Sequence, residues 1–425
     1  MKGTVLIQAI AVLLLISSCT SDLQPNFLLK VETEGYPAGF PIDRWMIVSD
    51  ENGRLLDYQQ ATQGSTYVFK GNPSKKVILT TLTTNRNAPG FYNLTSVYAI
   101  PLGTEFFREP TTNTSEPLPG IKGTASFTLK DYEIDQQLTN GDYAGIAAGF
   151  GELYWGETLY NYGTPVNYSN STLSFDFKLR NDVSDILGVT YRNGVPVHQW
   201  FRGVKAGDVI NTSVLAFSLS KTIPTTRHLN YFSVVGYAFD SGSEGYLLSH
   251  FEHWFYSKST DKSKDPQPGY IDGFNRYRVM ANTTVSLLDE KWETLAYSKL
   301  GTLPSSIKMP EYSLSIANRS IDNFVFSFDQ EYTTLSAIFS RNGTAISSSP
   351  VIWSVVAPPG ARIIKIEFPG EIITKYPAFN ADNLTVHFLN LTKEFGGESY
   401  ESLAFHPFKN RTTYENLVYH LTFYE

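Results

Sequence analysis

Apolar residues at every second position narrow the fold of this chain more than any other feature. Leu173, Phe175, Phe177 and Leu179 alternate with Ser174, Asp176, Lys178 and Arg180. Phe324, Phe326 and Phe328 alternate with Val325, Ser327 and Asp329, and Ile364, Ile366 and Phe368 with Lys365 and Glu367. Near the end, Leu417, Tyr419, Leu421 and Phe423 alternate with Val418, His420, Thr422 and Tyr424. Side chains along a strand point to opposite faces in turn, so this period sends one set into a core and the other into water. Antiparallel sheets with one solvated face read this way. Asn52-Gly53, after the strand signal at Trp45–Val48, and Asn193-Gly194, inside ILGVTYRNGVPVHQWF, are hairpin signals, because tight two-residue turns need positive φ at their centre. The 28 Phe and 26 Tyr suit pleated, half-buried surfaces. Helix signals gather only at Leu287–Leu300, with Ser286 as cap, Asp289 and Glu290 in the first turn and Gly301 as stop. Leu288, Trp292, Leu295 and Ala296 would then share a face; a strand pair is the alternative there.

Punctuation divides the chain. Glu109–Gly120 (EPTTNTSEPLPG) and Leu303–Pro310 (LPSSIKMP) are proline-flanked and poor in apolar residues, and Lys258–Gly269 (KSTDKSKDPQPG) reads as a long polar loop. The expected organisation is a signal peptide at 1–18, a tether at 19–26, β-domains at 27–110, 121–302 and 311–425, and linkers at 111–120 and 303–310. A chain of 425 residues is too long for one core and suits several domains. Strands at short spacing with turn signals favour sandwiches. The run IVSDENGRLLDY resembles the opening hairpin of Ig-like or carboxypeptidase-regulatory-like sandwiches found in bacterial envelope proteins. The fold class expected is all-β: two to three antiparallel, Ig-like β-sandwich domains with little helix.

The amino-terminal stretch reads as a targeting segment. Lys2 precedes an apolar run from Val5 to Ile16, interrupted by Gln8. That run is short of the roughly 20 residues a spanning helix needs, and it fits a secretion signal. It closes on Ile16-Ser17-Ser18-Cys19, which resembles the lipobox of bacterial lipoproteins. The resemblance implies acylation of the Cys19 thiol, cleavage before it, and residence in the cell envelope, with the outer membrane and the cell surface as the expected address. Cys19 is the single cysteine of the chain, so no disulfide competes for it. Several acyl chains on one residue would suffice for stable anchoring. Seven residues, Thr20 to Asn26, precede the first strand-like run and reach at most about 25 Å. Asn-X-Ser/Thr triplets such as those at Asn93, Asn113, Asn282, Asn383 and Asn390 are what an Asn-, Ser- and Thr-rich chain produces by chance.

Charge narrows the partners. The formal net charge is −7, and only 18% of residues are charged. No basic cluster is present to displace counterions from a phosphate backbone, which disfavours nucleic acid. A mildly acidic surface rich in Tyr and Asn suits neutral polar ligands. The crowding of aromatics around YWGETLYNYGTPVNY singles out Tyr154 and Trp155, together with Trp200 and Trp254, as a candidate ligand-binding platform, since exposed rings stack on sugar faces. The same rings would equally serve as sheet cores.

Motifs for chemistry are sparse, and no cofactor or metal is expected. His250-Phe251-Glu252-His253 lacks the spacing of a metalloprotease helix. Asp50, Asn52 and Gly53 start like a calcium loop but lack its closing glutamate. Asp261, Asp265 and Asp272 read as loop charge, and Gly396-Gly397-Glu398-Ser399 does not fit a nucleophile elbow. The expected function is therefore a membrane-anchored, non-catalytic role in binding, adhesion or assembly. Its partners would be the membrane, through Cys19, and a glycan or an envelope protein; glycan capture is the sharpest version, resembling lipoproteins that present sugars to outer-membrane transporters. The alternative is a surface hydrolase of glycoside-hydrolase type with two dispersed carboxylates. A further reading makes Leu417–Tyr424 an edge strand for donation to a second molecule.

Overall fold

The alternation at Leu173–Leu179 becomes the strand Thr172–Leu179, with its four apolar side chains buried and Asp176 and Lys178 exposed. A computed structural model of the chain describes residues 27–32, 42–62, 64–71, 76–85, 90–107, 120–132, 149–152, 167–192, 195–237, 249–254, 268–274, 276–288, 291–341, 349–405 and 413–423. Strands dominate these residues, and the fold is all-β. The α-helices among them are two six-residue pieces, α1 (Gly370–Lys375) and α2 (Tyr400–Phe405).

One twelve-stranded sheet organises the structure. In chain order its strands are β1 (Ile42–Asp50), β2 (Leu55–Ala61), β3 (Lys76–Asn85), β4 (Tyr92–Pro101), β5 (Tyr231–Tyr237), β6 (Ser249–Trp254), β7 (Arg276–Leu288), β8 (Lys291–Gly301), β9 (Thr334–Arg341), β10 (Val351–Ala357), β11 (Leu384–Glu394) and β12 (Tyr414–Phe423). Across the sheet they run β6-β5-β7-β8-β12-β11-β9-β10-β4-β3-β1-β2. Pairing is antiparallel throughout except at β4–β10, which is parallel. The sheet therefore crosses all three stretches drawn from the sequence: β4 from 27–110 bonds to β10 from 311–425, and β8 from 121–302 bonds to β12.

The β4–β10 pair is sealed from below. Trp353 of β10 is fully buried, and its Nε1 donates to Ser96 Oγ of β4 at 2.8 Å. The Ser96 and Thr80 hydroxyls lie 2.6 Å apart, so buried polar atoms at the seam are bonded to one another. On this face the sheet buries Trp45, Leu82, Leu94, Phe339, Leu389 and Tyr419 in the largest core. The opposite face is covered at one end, where Met46, Val48 and Leu79 pack with Leu29, Val31 and Phe69 of a three-stranded sheet and with Tyr400 of α2. A separate cluster joins Phe127 and Phe175, stacked at 5.3 Å, to Ile186 and Val197. Leu187 and Val189 on the other face of that same strand join the main core, so the sheet carrying Ser184–Arg192 is an inner layer.

Several expectations change. Leu287–Leu300, where capping signals compete with a strand pair, is the strand pair: Leu288 stands opposite Lys291, Leu295 is fully buried and Trp292 is 37% exposed. Flanking strands β5 and β12 supply ladder partners that outweigh local helical preference. Ile364–Phe368 is not a strand. It is a strap whose polar backbone is satisfied by a side chain and a turn: Tyr98 Oη donates to the Ile364 carbonyl at 2.6 Å, and the Glu367 N–H donates to the Gly53 carbonyl at 2.8 Å. Gly53 has φ +80°, and a Cβ there would lie 2.7 Å from the Lys365 carbonyl, so that turn requires glycine twice over. The terminal run is not an edge. β12 lies between β8 and β11, with both ladders occupied, which overturns its reading as a strand for donation. Arg192 and Val195 are paired as the Asn193-Gly194 signal requires, although 193 and 194 themselves lie outside the described residues.

Tyr98→Phe would leave the buried Ile364 carbonyl without its donor. The expected outcome is a loss of about 1–3 kcal/mol of stability, read as a lower urea midpoint at an unchanged slope.

Candidate functional site

The aromatic platform expected from sequence is only partly placed. Tyr154 and Trp155 lie outside the described residues. Trp254 ends β6 with its backbone opposite Tyr231, and its side chain lies outside them as well. Trp200 is half-buried against the main core, opposite Leu187. The Arg202 guanidinium sits 4.3 Å from its ring centroid. Arg202 is held there by Asp185, whose carboxyl the Gly203 N–H and the guanidinium keep below the usual carboxylate range. One face of Trp200 thus already carries a cation.

The remaining candidates resolve into structural roles where they are described. Asp50 Oδ1 accepts the N–H groups of Asn52 and Arg54 at 2.8 and 2.9 Å, which closes the β1–β2 turn. Asp272 pairs with Lys221. Ser399 Oγ accepts from the Ser402 N–H at 3.3 Å at the start of α2. His250, Glu252 and His253 lie on β6 opposite Val235, Ser233 and Phe232, with side chains outside the described ones. Asp261 and Asp265 lie outside the described residues.

A different constellation emerges from the register. On the sheet face opposite the main core, side chains of neighbouring strands line up in rows. One row runs Trp292 (β8), Thr422 (β12), Phe388 (β11), Ile338 (β9), Ser354 (β10), Thr95 (β4) and Thr81 (β3). The next runs Thr294, His420, Asn390, Ser336, Val356 and Val97 across the same strands from β8 to β4. Every one of these residues is half-buried or exposed, although Val356 and Val97 at the end of the second row pack against the cluster that covers the sheet there. Not one is an Asp, Glu, Lys or Arg. On this face the first charge met farther along β11 is Glu394, at the strand end, where it accepts from Asn416 Nδ2 at 3.3 Å.

His420 sits at the centre. Its Nδ1 is 2.7 Å from Asn390 Oδ1, and its Nε2 is 2.6 Å from Thr422 Oγ1. The amide oxygen can only accept, so Nδ1 carries the proton and donates; with the ring neutral, Nε2 accepts from the Thr422 hydroxyl. That arrangement uses the neutral imidazole, and burial lowers the pKa of His420 in the same direction. The Phe388 ring meets the imidazole edge-on at 4.2 Å between centroids. Large rings, hydroxyls and amides without formal charge are the components of a site for a neutral, hydroxyl-rich ligand.

A second polar cluster ties α1 to the sheet. Trp45 Nε1 donates to Tyr376 Oη at 3.1 Å, and Tyr376 Oη donates to Asp43 Oδ2 at 2.8 Å. Lys375 approaches Asp43 at 3.5 Å and lies 5.2 Å from the Trp45 ring centroid. Tyr58 Oη donates to Glu371 at 3.3 Å. Burial pushes the Tyr376 hydroxyl up to about 12, and its bond to Asp43 adds to the rise. Both carboxylates of this cluster are engaged in holding the helix in place.

Sequence reasoning missed the uncharged rows because strand order is not written in any local pattern. The available signal was that His420 and Thr422 fall on the water-facing phase of the last strand. No family model matches the chain, and no curated protein matches it. A solved structure described as the structural basis for Dscam isoform specificity covers 81% of this chain and 98% of its own at 10% identity, with a TM-score of 0.14, a likeness too slight to carry an argument.

The sign of the His420 effect is fixed. Its lowered pKa means that the unfolded chain binds the proton more readily, so the stabilisation is complete above about pH 6.5 and is lost as pH falls toward the folded value. His198, lowered by burial in the same way, contributes in parallel. The wild type is expected to lose stability between pH 7.5 and 5.5, measured by urea midpoints. His420→Gln is expected to lose less over that interval, with the His198 share common to both.

Proposed function

We propose that this chain is a lipid-anchored protein of the bacterial cell envelope that captures a neutral glycan without transforming it. The observation that carries this reading is the charge-free double row from Trp292 to Thr81, in a chain that holds 34 basic and 41 acidic residues. A long stretch of sheet without a formal charge favours ligands that bring none. Anionic polymers would meet neither cations to pair with nor a positive field to steer them.

The anchor assigned to this reading is acylated Cys19, next to Ile16-Ser17-Ser18, with the outer membrane as the residence. A short tether from Thr20 to Asn26 would hold the first strands near the lipid. The binding platform at Tyr154, Trp155, Trp200 and Trp254 remains part of the proposal as a second aromatic surface.

Two measurements test it. In the native host, Cys19→Ala is expected to shift the protein from the membrane to the soluble fraction; retention in the membrane would remove the anchor. In native gels containing amylose, laminarin, galactomannan or xyloglucan, the fragment 22–425 is expected to be retarded by at least one polymer and to run freely in polygalacturonate. Free running in every neutral gel overturns glycan capture. Release of reducing ends during the same incubation would turn the reading to the hydrolase.

A further inference from the structure

The row from Trp292 to Thr81 draws one side chain from each of seven strands. At about 4.8 Å per strand it extends about 29 Å across the sheet. Two large rings, Trp292 and Phe388, occupy one half, two strands apart. The other half offers the hydroxyls of Ser354, Thr95 and Thr81.

The surroundings give this row direction and limits. Beyond Thr81 the next position is Met46, which is buried beneath the three-stranded sheet, so the row ends there. Along one flank, Val356 and Val97 are packed into the cluster that includes Tyr400 of α2, and Tyr400 Oη donates to the Val356 carbonyl at 3.1 Å. A ligand that fits is therefore long, narrow and laid across the strands. A compact sugar would engage one ring and leave most of the row unused.

We propose that this row is a track for a single extended, uncharged polysaccharide chain, stacked on Trp292 and Phe388 and hydrogen-bonded through Thr422, Ser354, Thr95 and Thr81. The inference rests on the glycan-capture reading and adds the ligand's form and its path.

The experiment is a titration of the fragment 22–425 by calorimetry. The ligands are the two-, four-, six- and eight-unit oligosaccharides of whichever of the four neutral polymers retards it. Affinity is expected to rise steeply up to six units and then level off. Thr95→Lys, at an exposed position far from the rings, is expected to weaken the six- and eight-unit ligands about tenfold, a change of about 1.4 kcal/mol, and to leave the two-unit ligand unchanged. Trp292→Ala is expected to weaken all four. Thr81→Lys serves as a second far-end variant, and unchanged urea midpoints show that the variants are folded. Affinity independent of length, or polymer binding that none of the three variants alters, overturns the track while glycan capture stands. No binding to any of the four polymers by the wild type removes both.

Discussion

The parallel bond between β4 and β10 is the constraint on which the rest of the sheet depends. Its partners are separated by more than half the chain, and Trp353 with Ser96 locks them through a buried hydrogen bond. Closing a loop of that size costs entropy that grows only slowly with length, so the expense lies in making the contact at all rather than in the distance. A buried indole N–H, a serine and a threonine in mutual contact make the register specific, because a slip by one residue would strand all three polar groups without partners. Once that seam is set, the strands of 42–101 and 334–423 become one surface, and the strap at 361–369 and α1 have a floor to lie on.

The period-two pattern made the strand content legible, and it identified buried phases correctly at Thr172–Leu179 and in β12. It stopped being informative where backbone bonds leave the ladder. Ile363, Ile364 and Ile366 are buried like strand residues, yet their segment is fastened by Tyr98 and by the Gly53 turn, and nothing in the local sequence announces a tyrosine hydroxyl some 260 residues away. Helix signals at Leu287–Leu300 were genuine local preferences; they lost to two flanking strands that offered continuous pairing. The uncharged rows were invisible for a related reason. Trp292, Phe388 and Thr95 are ordinary residues in ordinary strands, and only the order in which the strands stand side by side makes them neighbours.

Neutrality over so many strands is a physical state as much as a composition. Side chains in the middle of a wide sheet are half-buried by their neighbours, so an isolated charge there would lose hydration without gaining a counter-ion. Hydroxyls and amides avoid that penalty, because they can bond to each other, as Asn390, His420 and Thr422 do. The acid-bearing cluster around Asp43 and Tyr376 lies where α1 meets the sheet, and its charges are matched by Lys375 and by hydrogen bonds.

The central place of β12 has a consequence for biosynthesis. Residues 414–423 are the last described segment of the chain to be made, yet they separate and join the two halves of the sheet. Until residues 414–423 are in place, β8 and β11 each present an unfilled edge, and only their arrival closes the gap. A frameshift or stop codon that deletes this strand would leave two unsealed half-sheets, and such edges are templates for aggregation.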